Sequence, residues 1–347
     1  MVLTPEEIKV QTRDLWRKCF NDSEDFMDIY FEDKYADPSN LTVVKDGKVV
    51  AAVQMLPYRM TFFGKSLRTG YISGLATLPE HRGKGYATNL LHEAHFRLRG
   101  YGAALSFLIP GDEDLRKFYE RPEHGAYWTA IHRQELPLDI SQDGPTDKIE
   151  VTSLEEWPNE LYAFYNRLTR ELPFMVHPSE SDFYAALATA DLQNGYILVA
   201  HRKRRMVGFC LAVKEPNGKV YIRTLAITET ASRAAFVNYL KEACGVEEVY
   251  RRFCLPGSLK ESKPYAMARI VNVPLFLSAV AAANPGFQLH IGVEGDMDIP
   301  ENNGYYIIEN GRVRPTDLKP DSIVTPGGLA AMFMAAQPIV MDLLLDE

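Results

Sequence analysis

Cysteine is scarce in this chain. The four in 347 residues (Cys19, Cys210, Cys244 and Cys254) have none of the spacings of a metal site. They read as reduced thiols in a reducing compartment, which points to a cytoplasmic protein with no metal. No apolar run approaches the roughly 20 residues needed to span a membrane. A charged-then-apolar leader is missing too: Thr4 followed by Pro5, Glu6 and Glu7 is a helix start. An excess of basic charge is also lacking. The net charge of −8 argues against nucleic acid as a partner and is compatible with a cationic substrate. Neither nucleic acid nor membrane is therefore expected as a partner.

A 46% hydrophobic content is that of a globular protein, and the length is too great for one ordinary core. The pattern predicts helices over 5–20 and 24–31, then strands over 41–44 and 49–53 around Asp46-Gly47, and strands over 58–63 and 66–76 around Gly64-Lys65. A helix over 86–98 follows, with Tyr86, Leu90, Leu91, Ala94 and Leu98 on one stripe. A buried strand over 103–109, a short helix over 112–119 and a strand over 126–136 close the first unit. The polar stretch 139–146 reads as a linker. Beyond it the order repeats, with helices over 154–170 and 180–190 and strands over 196–200, 206–213 and 219–227. Tyr71-Ile72-Ser73-Gly74-Leu75-Ala76 and Tyr221-Ile222-Arg223-Thr224-Leu225-Ala226 share Tyr-Ile-x-x-Leu-Ala, and each leads towards a helix. This is the mark of a duplicated domain. The last part reads as a small α+β unit, with helices over 267–282 and 327–336 and strands between them. The expected division is 1–138, 147–256 and 257–347.

The most informative residues are Arg82, Gly83, Lys84, Gly85, Tyr86 and Ala87. They join a strand to a helix through a glycine-rich turn. Free backbone N–H groups and the positive end of the helix dipole make such a turn an anion site. A P-loop would need Ser or Thr after the lysine, and Gly85 stands there. A dinucleotide fingerprint would need a third glycine at Thr88. The pattern Gln/Arg-x-x-Gly-x-Gly/Ala is met in full by Arg82, Gly85 and Ala87. In the second copy, Thr228-Glu229-Thr230-Ala231-Ser232-Arg233-Ala234 has no glycine and carries an acid, so only the first copy offers a phosphate site.

On these residues the chain resembles the GNAT acetyltransferases. The resemblance implies acetyl-CoA as co-substrate, with its pyrophosphate on the backbone of Gly83, Lys84, Gly85, Tyr86, Ala87 and Thr88. The pantetheine arm would pair with Leu75, Ala76 and Thr77, as a peptide pairs with a sheet edge. Two tandem units, the second degenerate, with a small third domain, resemble the Eis-type (enhanced intracellular survival) members, whose third domain is sterol-carrier-like. Met267-Ala268-Arg269-Ile270-Val271-Asn272 and Ile299-Pro300-Glu301-Asn302-Asn303-Gly304 carry that likeness, although the family often has Asp where Asn272 stands. The fold class expected is α/β (α+β), with two tandem GNAT-like mixed-sheet domains followed by a small sterol-carrier-like α+β domain. Homo-oligomers, often hexamers, are known among Eis-like proteins.

Acetyl transfer needs a deprotonated amine, a polarised thioester carbonyl and a proton for the leaving thiolate. By its position after the short helix, and by the resemblance, Tyr119 is the expected general acid. Eis-like proteins use their own C-terminal carboxylate as base, which here would be that of Glu347, behind an apolar run suited to a docked tail. His124 is the alternative base, while His81, His92 and His95 read as packing or solvent-facing residues. Primary amines are the expected acceptors, by resemblance those of aminoglycosides, polyamines or lysine. Two other readings stay open: a transferase using charged tRNA, and a non-catalytic acyl-CoA or lipid-binding protein.

Overall fold

The computed structural model describes residues 3–253 and 262–344. Helix α1 (Pro5–Cys19) starts at a capping box in which Thr4 and Glu7 satisfy each other's backbone N–H. Helix α2 (Glu24–Ile29) runs into a π-helical turn, Tyr30–Lys34, that carries Lys34 into the interior. Strands β1 (Asn40–Lys45) and β2 (Lys48–Phe62) form a hairpin whose turn holds Asp46 and Gly47 at positive φ. The two strands expected over 49–53 and 58–63 are thus one 15-residue strand. A second tight turn leads to β3 (Lys65–Thr77), and α3 (Tyr86–Gly100) crosses over to the parallel strand β4 (Ala103–Leu108). Helix α4 (Glu113–Glu120) and β5 (Trp128–Pro137) follow.

The second unit opens with a strand that precedes the expected helix, and that helix is shorter than expected. The stretch 154–170 is helical only in α5 (Glu160–Thr169), and β6 (Glu150–Ser153) precedes it. Then come β7 (Phe174–His177), α6 (Glu180–Leu192), β8 (Tyr196–Arg202), β9 (Arg205–Lys214), β10 (Val220–Ile227), α7 (Thr230–Cys244) and β11 (Val249–Phe253). The duplication is visible in the topology. In both halves the repeated hexapeptide lies on a strand that pairs antiparallel with its predecessor and parallel with the strand after the crossover helix. Each copy also breaks register within the repeat, opposite Val53 in β2 and at Arg223 in β10.

The expected helix over 267–282 is corrected. Residues Lys263–Ile270 form strand β12, and helix α8 (Val273–Ala283) begins after the Asn272 cap. Beyond it are β13 (Leu289–Val293), β14 (Gly304–Glu309), β15 (Arg312–Thr316), the short β16 (Ile323–Val324) and α9 (Pro326–Met334). Strands β13 to β16 make a four-stranded sheet, while β12 leaves it and enters the large one. The large sheet runs β1-β2-β3-β4-β12-β5-β11-β10-β9-β8-β6, with β7 on the far half of β2. So β12 lies between β4 and β5 and is antiparallel to both. The described chain ends along β7, where Val340 exchanges backbone hydrogen bonds with Phe174 and Val176. Among the described residues no helix is long and apolar enough to cross a membrane.

Candidate active site

The site begins where β3 leaves β4. Their parallel pairing covers only Arg68–Tyr71 against Ala103–Phe107, so β3 continues from 72 to 77 with that edge unpaired among the described strands. Just beyond the last paired residue, β3 bulges against β2. Gly74 takes φ +60°, and a Cβ there would lie 2.3 Å from the ring of Trp16. Trp16 is held by its indole N–H to Asp22 at 2.7 Å and by ring contacts with Phe20, Tyr30 and Phe31. Tyr30 donates to the Ser73 hydroxyl at 2.9 Å, beside the bulge.

At the end of β3, Ala76 is buried opposite Ala52, while Leu75 and Thr77 are half-buried. The Thr77 carbonyl accepts from Arg82 Nε at 3.2 Å, which ties the strand end to the turn. Gly83 and Gly85 both have φ near +75°, where a side chain would be strained, and the space over each is open. Gly85 caps α3 without a side-chain acceptor, and the first intrahelical bond is Asn89 N–H to the Gly85 carbonyl. The N–H groups of Tyr86, Ala87 and Thr88 therefore have no partner within the helix. Lys84 reaches back to the Glu80 carbonyl at 3.1 Å. Among the described residues Arg82 and Lys84 form no ion pair with a carboxylate. The first turn of α3 holds no acidic residue. Orphan donors, a helix dipole and two unpaired cations converge on one open turn, which suits a pyrophosphate. The second copy differs as its sequence indicates: Glu229 caps α7 and is held by Arg202 through two 2.9 Å bonds.

Tyr119, at the end of α4, is 7% exposed. It belongs to the buried cluster that also holds Leu91 of α3, Leu108 of β4 and Met267 of β12, and its ring meets that of Tyr127 edge-on at 5.9 Å. Burial pushes its pKa well up, so the hydroxyl stays protonated at neutral pH. The loop between the two tyrosines folds back tightly, with Gly125 and Ala126 at positive φ. The Tyr127 N–H thereby reaches the Tyr119 carbonyl at 2.9 Å. His124 stacks on Phe118 at 3.9 Å and its Nδ1 lies 3.1 Å from the Phe118 carbonyl, so it staples this turn. Glu347 lies outside the described residues. Nearby, Met341, Leu343 and Leu344 are buried in the cluster that also holds Tyr58, Tyr71 and Phe107.

One constellation escaped the sequence reading. Arg269 of β12 is 1% exposed and bonds Asp298 and Asp296, each at 2.7 Å, and the Gly125 carbonyl at 2.8 Å. Asp298 also bonds His95 of α3 at 2.5 Å. His95 in turn contacts the Tyr127 hydroxyl at 2.7 Å, and that hydroxyl lies 2.7 Å from Ser106 of β4. Burial and the Arg269 charge lower the pKa of His95 to about 4, so the ring is neutral. An arginine inside an apolar strand run was the available signal. Among the described residues no His, Cys, Asp or Glu cluster could hold a metal.

Residues 3–125 match the family model of the acetyltransferase (GNAT) domain. No curated protein matches the chain. Among solved structures, a GCN5-related N-acetyltransferase from Anabaena variabilis is similar, with TM-score 0.74 and 18% identity over 95% of this chain and 88% of that one. A probable N-acyltransferase from Enterococcus faecalis V583 gives TM-score 0.73 and 18% identity over the same shares. Eis1 from Mycobacterium abscessus gives TM-score 0.71 and 14% identity over 96% and 88%. At such identities these likenesses speak for the fold, which they share over nearly its whole length. Residues 3–125, with their glycine turn and parted strands, are thus similar to a GNAT acetyltransferase domain, which speaks for an acyltransferase with a tandem GNAT-like α+β fold.

Proposed function

We propose that the chain transfers the acetyl group of acetyl-CoA to a primary amine. The observation that carries this is the open turn from Arg82 to Thr88 at the end of a strand that parts from its neighbour. In this reading the turn holds the pyrophosphate, and the free edge at Leu75, Ala76 and Thr77 pairs with the pantetheine arm. The amine nitrogen attacks the thioester carbon, the C–S bond breaks, the nitrogen loses a proton and the sulfur gains one. Tyr119 is the proposed donor to sulfur, supported by its protonated, buried hydroxyl and by its place in one apolar cluster with Ile72 of β3 and Leu108 of β4. For the base we propose the α-carboxylate of Glu347, supported by the burial of Met341, Leu343 and Leu344 just before it.

The degenerate second unit and the third unit, as proposed, build the pocket. The likeness to Eis-type proteins adds that the third unit, 257–347, is a sterol-carrier-like domain and that the chain forms a homo-oligomer. Thiol release from acetyl-CoA, followed with spermidine, a lysine peptide and an aminoglycoside, tests the activity. Amine-dependent release is expected; CoA binding without it would favour a non-catalytic acyl-CoA protein. Extending the chain by a few residues beyond Glu347 is expected to abolish turnover while leaving CoA affinity within twofold. Unchanged turnover would remove Glu347 from the mechanism.

A further inference from the structure

The outer edge of β2 is covered by β1 up to Gln54 and by β7 from Arg59 onwards. Between them residues 55–58 have no strand on that side among the described residues, and Pro57 has no N–H to offer one. A cavity of about 800 Å³ opens at this gap, between the first unit and helices α5 and α6. That volume suits a small-molecule ligand. Met55, Leu98 and Tyr162 supply apolar wall.

Charge in the cavity is unbalanced. Asp182 is taken up by Lys34, whose ammonium also donates to the Tyr58 hydroxyl at 2.6 Å. Arg170 lies 3.3 Å from Glu171. Burial lowers the pKa of His177, so it adds no charge at neutral pH. Arg59 and Arg68 remain. They are direct cross-strand partners in the antiparallel β2–β3 register, and both line the cavity. Their polar contacts are the Ser66 hydroxyl at 3.4 Å and the Tyr101 carbonyl at 3.1 Å, with no carboxylate among the described residues. Like charges directly opposite on a sheet are destabilising. Here such a pair stands in a chain of net charge −8, with room for an anion in front of it.

We infer that this cavity binds a molecule with an apolar body and one anionic group, a carboxylate or a phosphate, held between the Arg59 and Arg68 guanidiniums. A planar carboxylate or a phosphate matches the arginine fork, and two forks facing one anion turn a repulsive pair into a clamp. With the CoA pyrophosphate on the glycine turn, as proposed, the phosphates of CoA are not the occupant. Leu98 lies twelve residues along α3 from Tyr86, about 18 Å from the glycine turn at 1.5 Å per residue. The inference stands apart from acetyl transfer, since binding is read without turnover.

The test is calorimetric titration of the full chain with octanoate, octyl phosphate and octylamine. The two anions are expected to bind at least tenfold more tightly than the amine. Arg68→Glu is expected to reduce octanoate affinity at least tenfold while raising Tm, because Arg59 then faces a carboxylate. Arg68→Gln serves as the milder variant and should show the same loss. Asn166→Trp, which fills the cavity from α5, should remove binding of all three. Octylamine binding as tight as octanoate, or undiminished octanoate affinity in Arg68→Gln, would overturn the inference. Loss of acetyl transfer with anion binding intact would instead count against the activity alone.

Discussion

Gly74 shows how one missing side chain shapes a site. Its positive φ and the Trp16 ring 2.3 Å from its absent Cβ exclude any other residue without movement. Gly74→Ala is expected to cost roughly 2–4 kcal/mol, from backbone strain plus overpacking. Urea unfolding would measure it, and a change below 0.5 kcal/mol would mean the bulge relaxes freely. Tyr119 makes a different prediction. Tyr119→Phe keeps the ring packed against Tyr127 and removes only the hydroxyl. A general acid is expected to show a kcat loss on the order of 10²-fold with KM for acetyl-CoA little changed. Equal loss of stability and unaltered kcat would instead make Tyr119 a packing residue. At this scale the conformation of the glycine turn was legible because it is local: spacing, glycine positions and helix start are all read along the chain. The roles of Gly74 and Arg269 depend on Trp16, Asp296 and Asp298, which are distant in sequence, so no local pattern announced them.

Among elements, α3 does most to join the parts. Its N-terminus faces the glycine turn, and its buried His95 is gripped by Asp298 of the loop after β13. Arg269 of β12, Asp296, Asp298 and the Tyr127 hydroxyl surround the imidazole. The folded pKa of about 4 lies below the ordinary value near 6.5. The unfolded chain therefore takes up a proton as pH falls through 6.5, and the folded one does not until near 4. Stability is lost as pH drops across that window, by up to about 3 kcal/mol. Below it, protonation of Asp298, whose pKa is also depressed, adds to the loss. Denaturant midpoints at pH 7 and pH 4.5 should reveal the slope, and His95→Gln should flatten it. Strand β12 was misread from sequence as the start of a helix. Ala266, Met267 and Ala268 are fully buried, so no alternation separates the strand from the apolar helix that follows. Short strands such as β6, β7 and β11 owe their form to partners far along the chain, which leaves little local trace.

For the whole molecule, the decisive fact is that the large sheet is continuous across the chain's units. Strand β4 is buried along all six residues and has β3 on one side and β12 on the other. A fragment ending at residue 138 would lack β12 and β11 and leave apolar strand edges bare. Such a fragment is expected to aggregate or exchange its amides freely, although it contains the whole of the matched domain. Adding residues 262–344 as a separate polypeptide should restore protection in β4 and β5 if the seam alone is missing. A soluble, cooperatively folded fragment would show that the matched domain is self-sufficient. The tandem organisation was legible from the repeated hexapeptide, but the interleaving of the third segment was not, because β12 has no counterpart in the repeat.

The place of β12 also has a consequence in time. Its first residue leaves the ribosome about 150 residues after the end of β4, which at ordinary synthesis rates is a delay of roughly 8–30 s. During that interval the glycine turn and Tyr119 already exist, yet the sheet beneath them has a vacant lane. A nascent chain of this protein should therefore acquire the acetyl-CoA affinity proposed for it late and abruptly, when the lane is filled, rather than domain by domain.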